Sequence, residues 1–347
     1  MADSLLLVTG GAGFIGSNFI HYVFKKNNKL NILNLDNLTY AGNLINLKAI
    51  ENNNRYKFIK GDILNKKLVN KIFSQYKPDS IINFAAESHV DRSILKPDQF
   101  LKTNIIGTQV LLEASKQYGV KRFIQISTDE VYGSVPKGKS KEYAGLKPNS
   151  PYSASKASAD LLCRSYHKTF GVPVIITRSS NNYGPFQFPE KLIPLIINNA
   201  TEEKPLPIYA DGKNMRDWIY VYDNCEAIYK VITKGKIGEI YNIGSGTSKK
   251  NIHIVKKICE TVSKKTGKPL KSLLSLIKYV KDRPAHDFRY CLDTSKIYNE
   301  LEWEAATDIN DGLEKTVDWY LNNNNWVNKV QNKEYKKYYK MNYSNRL

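Results

Sequence analysis

The chain has 347 residues, a formal net charge of +19 at pH 7 and a hydrophobic fraction of 41%, which suits one large domain or two unequal ones. Its lysines are spread along the whole length without a nucleic-acid-binding signature, and no apolar run approaches the ~20 residues of a membrane span. The four cysteines and five histidines are too scattered to form a disulfide framework or a metal site, so we expect free thiols, no metal and a cytoplasmic location.

Short apolar runs alternate with helix-length segments through the first half of the chain. The segment 98–119 places apolar residues three and four apart and ends at Gly119, as expected of a helix. The strand-like runs are 5–9, 31–36, 56–62, 80–86, 122–128 and 172–178. This alternation predicts an α/β fold with a Rossmann-type, doubly wound parallel sheet that is covered by helices on both faces.

The rhythm changes after residue 185, where several prolines break the chain into shorter elements. We therefore predict a sheet domain over 1–180, a smaller C-terminal substrate-binding domain over 181–325, and a polar tail over 326–347. Helices are expected at 252–267 and 310–323, and some later segments are expected to return to the first domain.

The first predicted strand runs into the glycine-rich segment 8–16, which opens a helix. Gly10, Gly13 and Gly16 follow the GxxGxxG spacing of dinucleotide-binding loops, with Phe14 and Ile15 between them. Glycines let the backbone approach a pyrophosphate at the helix N-terminus. Asp36 ends the second strand, where a carboxylate accepts both ribose hydroxyls and repels a 2′-phosphate. The sequence thus predicts NAD rather than NADP.

Further residues at the carboxyl ends of strands are weaker candidates for the same cofactor. A ligand crevice lies at this edge of an open α/β sheet. The candidates are Asn37 after the second strand, Asp62 and Ile63 after the third, and Ala85, Ala86 and Ser88 after the fourth.

Two pairs of chemically active residues follow the fifth strand. Asp129 and Glu130 come directly after the run 122–128, and Tyr152 and Lys156 are four residues apart at the start of a helix. A neighbouring ammonium and the cationic nicotinamide favour the phenolate, so we expect a lowered pKa for Tyr152, which would take a hydroxyl proton. Both acids can face one ligand only if the strand has ended by residue 129, so we predict a loop there.

The segments 8–16, 85–93, 127–133, 152–156, 181–195, 216–218 and 282–287 together resemble those of an extended short-chain dehydrogenase/reductase. The similarity is to the nucleoside-diphosphate-glucose 4,6-dehydratases, which supply precursors of rhamnose and other deoxysugars, and it covers the chain to about residue 325. The acid pair after Thr128 is its most discriminating part. Related epimerases and decarboxylases lack this pair.

The resemblance implies a mechanism. Tyr152 would deprotonate the C4 hydroxyl while NAD takes the C4 hydride, and Thr128 would hydrogen-bond O4. Glu130 would then remove the C5 proton, Asp129 would protonate the departing O6 hydroxyl, and the hydride would return to C6. Lys156 would hold the ribose and the tyrosine.

The resemblance also assigns binding residues and a homodimer built from the helices at 98–119 and 151–170. Arg216, Arg283 and His286 suit a diphosphate. The family assigns Asn181, Lys191, Leu192 and Asn251 to the substrate, Pro207, Ile208 and Tyr209 to the nucleotide base, Ser88 to the sugar, and Thr103 and Asn182 to NAD.

The chain departs from the family at Ala285, where glycine is usual. It also departs from the commonest bacterial sequence within the segment 177–184, just before Asn181 and Asn182. The base, thymine or uracil, stays open. Rival interpretations are a nucleotide-sugar epimerase or decarboxylase, a catalytically silent NAD-binding regulator and, from charge alone, a nucleic-acid binder.

Overall fold

A computed structural model of the protein describes residues 4–331, 335, 339 and 340. The strands are β1 (Leu5–Thr9), β2 (Asn31–Asp36), β3 (Tyr56–Lys60), β4 (Ser80–Asn83), β5 (Arg122–Thr128), β6 (Val174–Ser179), β7 (Asn181–Tyr183), β8 (Leu206–Tyr209), β9 (Met215–Tyr220), β10 (Ile240–Ile243), β11 (Ser248–Lys250) and β12 (Ile277–Val280). The α-helices are α1 (Phe14–Lys26), α2 (Lys66–Tyr76), α3 (Val90–Leu95), α4 (Pro97–Phe100), α5 (Thr108–Tyr118), α6 (Pro151–Phe170), α7 (Leu192–Thr201), α8 (Val221–Lys234), α9 (Asn251–Thr266), α10 (Leu270–Ser275), α11 (Ser295–Leu301), α12 (Ile309–Asn322) and α13 (Asn324–Val330).

The main sheet is parallel and has the strand order β10-β6-β5-β4-β1-β2-β3. Apolar residues of α1, α8 and α11 pack on one face, and those of α2, α5 and α6 pack on the other. The predicted doubly wound Rossmann-type sheet is therefore confirmed. The third and fourth strands end two and three residues earlier than the sequence pattern indicated.

A second core lies C-terminal to β6. Helices α7, α9 and α12 pack together with β8 and α13, and two small sheets, β11-β9-β7 and β12-β8, flank this core. Strand β10 returns to the main sheet beside β6. Much of the predicted tail, 326–347, lies outside the described residues, although the described Tyr335 packs into the second core.

Helix α6 is sharply delimited by its sequence. Ser150 and Ser153 cap each other's backbone at its start, Pro151 occupies the first turn, and Gly171 ends it with a φ of +70°. This fixed start determines where Tyr152 and Lys156 lie relative to β5. None of the helices in the described part of the chain combines the length and apolar character required to span a bilayer.

Candidate active site

The glycine-rich loop between β1 and α1 closes tightly against the sheet. Gly10 has a φ of +70°, and a Cβ there would come within 2.5 Å of the Ala85 backbone nitrogen. A Cβ on Gly16 would lie 2.4 Å from the Gly10 oxygen. Within the described residues no side chain caps the start of α1, and its first turn contains no acid. Its amides are thus available to a pyrophosphate.

Asp36 joins this loop to the end of β2. Its Oδ2 accepts a hydrogen bond from the Ala12 amide at 2.9 Å, and its Oδ1 accepts one from the Leu38 amide at 2.8 Å. Burial raises the pKa of Asp36, whereas these two hydrogen bonds lower it. Beside it, the Asn37 amide donates to Asp62 at 2.9 Å. A carboxylate in this position suits ribose hydroxyls and opposes a 2′-phosphate.

One cleft at the carboxyl edge of the sheet brings most of the predicted cofactor residues together. Its lining includes Gly10, Gly13, Phe14, Ile15, Gly16, Asp36, Asn37, Asp62, Ile63, Ala85, Ala86, Ser88, Thr103, Tyr152 and Lys156. Asn182 is not part of this lining; it is buried, and its amide donates to the Ser180 oxygen. The glycine cradle, the free helix N-terminus and the buried acid together fit NAD.

Tyr152 and Lys156 lie on the buried side of α6. The Lys156 ammonium donates to the Ile126 oxygen at 2.6 Å, and burial lowers its pKa to about 8. Burial, followed by the charge of Glu130, raises the pKa of Tyr152, while a hydrogen bond with Thr128 opposes the rise. In the protein alone this direction is opposite to the sequence-based expectation, because burial and the charges of Glu130, Asp129 and Asp160 raise the pKa.

The acid pair occupies the turn that follows β5. The strand ends at Thr128, as its chemistry requires, and 129–132 form one turn of 3-10 helix rather than an irregular loop. The Thr128 hydroxyl donates to Asp129 Oδ1 at 3.2 Å and accepts from the Glu130 amide at 3.3 Å. Glu130 raises the pKa of Asp129, and both acids raise the pKa of Tyr152.

Asp129 and Glu130 lie in different electrostatic surroundings. Burial, Glu130 and Asp217 raise the pKa of Asp129 well above its usual range, with Arg216 opposing. Its Oδ2 is buried without a hydrogen-bond partner among the described residues. Burial also raises the pKa of Glu130, but three cations oppose that rise: Arg283, Arg216 and Lys191. The surroundings therefore favour a proton on Asp129 more strongly than on Glu130, whose neighbouring cations favour its charged form.

Two arginines, the buried Arg216 and the half-buried Arg283, lie beside the acid pair. The Arg216 guanidinium donates to the backbone oxygens of Met215 and Asp287 at 2.8 and 2.9 Å and packs 4.4 Å from the centre of the Tyr290 ring. Arg283 pairs with Asp91 at 3.4 Å. Both groups can bind a diphosphate in a forked geometry.

The other predicted polar ligands extend this cluster. His286 Nδ1 donates a hydrogen bond to the Asp282 carboxylate at 2.6 Å, and burial lowers the pKa of His286 to about 4, so this ring is a neutral hydrogen-bonding group at pH 7. The Lys191 ammonium donates to the Ser88 oxygen at 2.8 Å, and burial lowers its pKa.

Comparison with known proteins matches this architecture. The family model described as GDP-mannose 4,6 dehydratase matches residues 7–316. A dTDP-glucose 4,6-dehydratase of Xanthomonas campestris is 48% identical over 344 residues, covering 95% of this chain and 97% of that protein. One of Salmonella typhimurium is 47% identical over 360 residues, covering 98% and 99%. This chain belongs to the dTDP-glucose 4,6-dehydratase family.

Solved structures of other nucleotide-sugar enzymes share the fold of this dehydratase family member. The Bacillus anthracis dTDP-glucose 4,6-dehydratase in complex with NAD superposes with a TM-score of 0.86 at 46% identity, covering 94% of this chain and 99% of that one. A Thermotoga maritima UDP-glucose 4-epimerase also superposes, with a TM-score of 0.83 at 30% identity, covering 92% and 99%. The fold is therefore shared with epimerases and does not by itself distinguish the two activities.

The remaining predicted substrate residues of this dehydratase family member differ in accessibility. The side-chain oxygens of Asn181 and Asn251 are buried without hydrogen-bond partners in the described structure, and Leu192 begins α7. Pro207 and Ile208 lie on β8, but Ile208 is 2% exposed and packs in the second core. Only its backbone can therefore face a base. Tyr209 donates to Asp91 at 2.9 Å.

Sequence reasoning missed two polar residues that shape the site. Asp91, within the quoted segment 85–93, accepts from both Arg283 and Tyr209. Asn104 lies in a π-helical stretch between α4 and α5, where it bonds the Glu87 backbone and the Ser155 hydroxyl. A polar residue inside an otherwise amphipathic helix was the only available signal for Asn104.

Proposed function

We propose that this protein is an NAD-dependent hydro-lyase that converts dTDP-glucose into the dTDP-4-keto-6-deoxy sugar, a precursor of deoxysugars such as rhamnose. The observation that carries this proposal is the pair Asp129 and Glu130 beside Tyr152, in surroundings that raise the pKa of Asp129 more strongly than that of Glu130. Relatives with 47–48% identity are named dTDP-glucose 4,6-dehydratases, and the Streptomyces venezuelae enzyme has been solved with NAD and dTDP bound.

NAD, when bound in the cleft, would take the C4 hydride and return it to C6. Gly10, Gly13 and Gly16 would admit its pyrophosphate to the start of α1, and Asp36 would hold its ribose. Tyr152 would accept the proton of the C4 hydroxyl, with Thr128 hydrogen-bonded to the same oxygen. Lys156, whose pKa is about 8, would favour the phenolate electrostatically.

The C4 ketone acidifies the C5 proton. Glu130 would remove this proton as a general base, because its neighbouring cations favour the ionised form. Asp129 would donate its proton to O6, and water would leave as the C5–C6 double bond forms. Addition of hydride at C6 and return of a proton to C5 would then give the 6-deoxy product.

The nucleotide diphosphate would bind across the second core. Arg216 and Arg283 would supply the charge, His286 would act as a neutral hydrogen-bonding group, and Lys191 would reach the sugar. This arrangement supports a nucleotide-sugar-binding role for much of 181–325, with β10 belonging to the NAD-binding sheet. The domain division at residue 180 stays a prediction.

A homodimer is the assembly that we propose. Several large apolar side chains remain exposed on the helical layer formed by 94–106 and α6: Ile94, Leu95, Leu101, Ile106 and Leu161. Several exposed apolar side chains on one helical layer suit an interface. The four buried, unpaired cysteines support a reducing, cytoplasmic location.

Incubation with dTDP-glucose, followed by mass spectrometry, tests the reaction. Loss of one water without net consumption of NAD supports dehydration, whereas an isobaric product would favour the epimerase chemistry of the structural relative from Thermotoga. A parallel incubation with UDP-glucose tests the base, and we expect the dTDP sugar to be preferred.

A further inference from the structure

A third acid, Asp217, lies fully buried on β9 next to the site. Its Oδ1 accepts hydrogen bonds from the Ser245 amide at 2.9 Å and the Ser245 hydroxyl at 2.7 Å. Its Oδ2 accepts one from the Gly246 amide at 3.1 Å. A Cβ on Gly244 would lie 2.8 Å from the same Oδ2, so a glycine at that position lets the loop after β10 approach the carboxylate.

The contacts of Asp217 favour its ionised form. Burial raises its pKa, and the hydrogen bonds from Ser245 and Gly246 oppose that rise. Both amides can only donate, so a proton on the carboxyl group would compete with them for its oxygens. Neutral donors hold the Asp217 carboxylate, so its charge, when the group is ionised, acts on neighbouring acids.

The strand pairings bring this carboxylate near the turn that contains Asp129. Thr128, at the end of β5, pairs with Ser179, and Asn181 pairs with Trp218 on β9. Ser180 links these two pairs, so the turn after β5 and residue 217 are separated by roughly two strand spacings, or about 10 Å. The Asp217 carboxylate and the Ser180 hydroxyl both face Gly244. A Cβ added to this glycine would lie 2.8 Å from the carboxylate and 3.2 Å from the hydroxyl.

We propose that Asp217 is a positioning residue whose negative charge keeps the proton on Asp129 until the sugar hydroxyl takes it. This inference rests on the proposed dehydratase function. Like charges at this separation oppose each other's ionisation. The charged groups that act on Asp129 are Glu130 from its own turn and Arg216 and Asp217 from β9; the two acids raise its pKa, and Arg216 lowers it.

Asp217→Asn tests the proposal in single-turnover reactions of the NAD-bound protein with dTDP-glucose across a range of pH. Absorbance of NADH follows C4 oxidation, and mass spectrometry follows water loss. The elimination rate should fall at alkaline pH, where Asp129 loses its proton, and we call this fall the alkaline limb. Removal of a unit charge about 10 Å away should move this limb down by about one pH unit. Elimination should then be roughly 10-fold slower above that limb and unchanged below it.

Asp223→Asn is the matched control, because Asp223 is also a buried carboxylate held by neutral donors, the amide and hydroxyl of Thr307. In this control variant the alkaline limb of the elimination rate should stay in place. Asp217→Ser is a second test variant that leaves space for water to satisfy Ser245 and Gly246. Whichever variant retains NAD affinity and melting temperature is used for the comparison.

The outcomes separate the two proposals. A wild-type protein that removes no water from dTDP-glucose overturns the dehydratase function and the inference with it. If the wild type dehydrates but the charge-removing variant shows an unmoved limb, or an equal loss of rate at every pH, only the role of Asp217 is refuted. A shifted limb with unchanged C4 oxidation supports it.

Discussion

Replacement of Glu130 by glutamine should separate the two chemical stages of the reaction. The change keeps the size of the side chain but removes the general base and one charge. Loss of general-base catalysis slows a proton-transfer step by about 10²- to 10⁴-fold, which corresponds to roughly 3–5 kcal/mol in the barrier. This loss should fall on water elimination, because the C5 proton leaves only after C4 has been oxidised.

The same substitution should shift the pH dependence of C4 oxidation. After burial, the charge of Glu130 is the largest contribution to the raised pKa of Tyr152. Removing it lowers that pKa, so the phenolate forms at lower pH. At an effective dielectric constant of about 20, a unit charge within ~10 Å contributes at least about 1.5 kcal/mol, or about one pH unit. The oxidation profile should move toward acid by that amount.

Rapid mixing of the NAD-bound variant with dTDP-glucose provides the assay. NADH should appear and persist, while mass spectrometry shows little dehydrated product. Glu142→Gln is the control, since Glu142 is also a half-buried acid whose pKa is raised by burial, but it bonds the Asn242 amide instead. Equal slowing of oxidation and elimination in Glu130→Gln, or an unmoved oxidation profile, would refute the assigned roles.

Three further substitutions test the cofactor site, a strained loop and the assembly. Asp36→Ala removes a charged hydrogen-bond acceptor, so NAD affinity should fall by about 10- to 100-fold while NADP loses less; an unchanged NAD to NADP affinity ratio in fluorescence titration contradicts this. Ala285 has a φ of +51°, so Ala285→Gly should stabilise the fold by up to about 1 kcal/mol in thermal unfolding. Ala305 does not have a positive φ, so the control Ala305→Gly should not stabilise the fold. Leu161→Lys places a charge on an apolar side chain that is 56% exposed and should shift sedimentation toward monomer; Leu270→Lys, on α10, is the control, and an unaffected oligomer would exclude α6 from the interface.

Local patterns were sufficient to predict most of the fold. The parallel strands alternate with amphipathic helices, the glycine spacing indicates the tight loop, and the end of β5 at Thr128 follows from the need of both acids to face one ligand. The second core was harder to predict from the sequence, because its helices assemble around short strands separated by prolines. The return of β10 to the main sheet depends on tertiary pairing with β6.

Long-range electrostatics limited the prediction of the site. Asp91 and Arg283 are 192 positions apart, so no spacing rule connects them. The direction of the Tyr152 pKa also depended on burial and on the charge of Glu130, neither of which the four-residue spacing from Lys156 reveals. Asp217 was hidden within a segment read only for its arginine.

The proposed dehydration depends on surroundings that treat two adjacent carboxyl groups differently. Glu130 is influenced by three cations and one acid, Asp287, whereas Asp129 is influenced by one cation and two acids. A site that only moved hydride at C4 would have no use for this asymmetry, because no bond at C5 or C6 would have to break. Elimination requires a base and an acid at the same time on neighbouring carbons. The charge distribution therefore favours dehydration over epimerisation more strongly than the shared fold does.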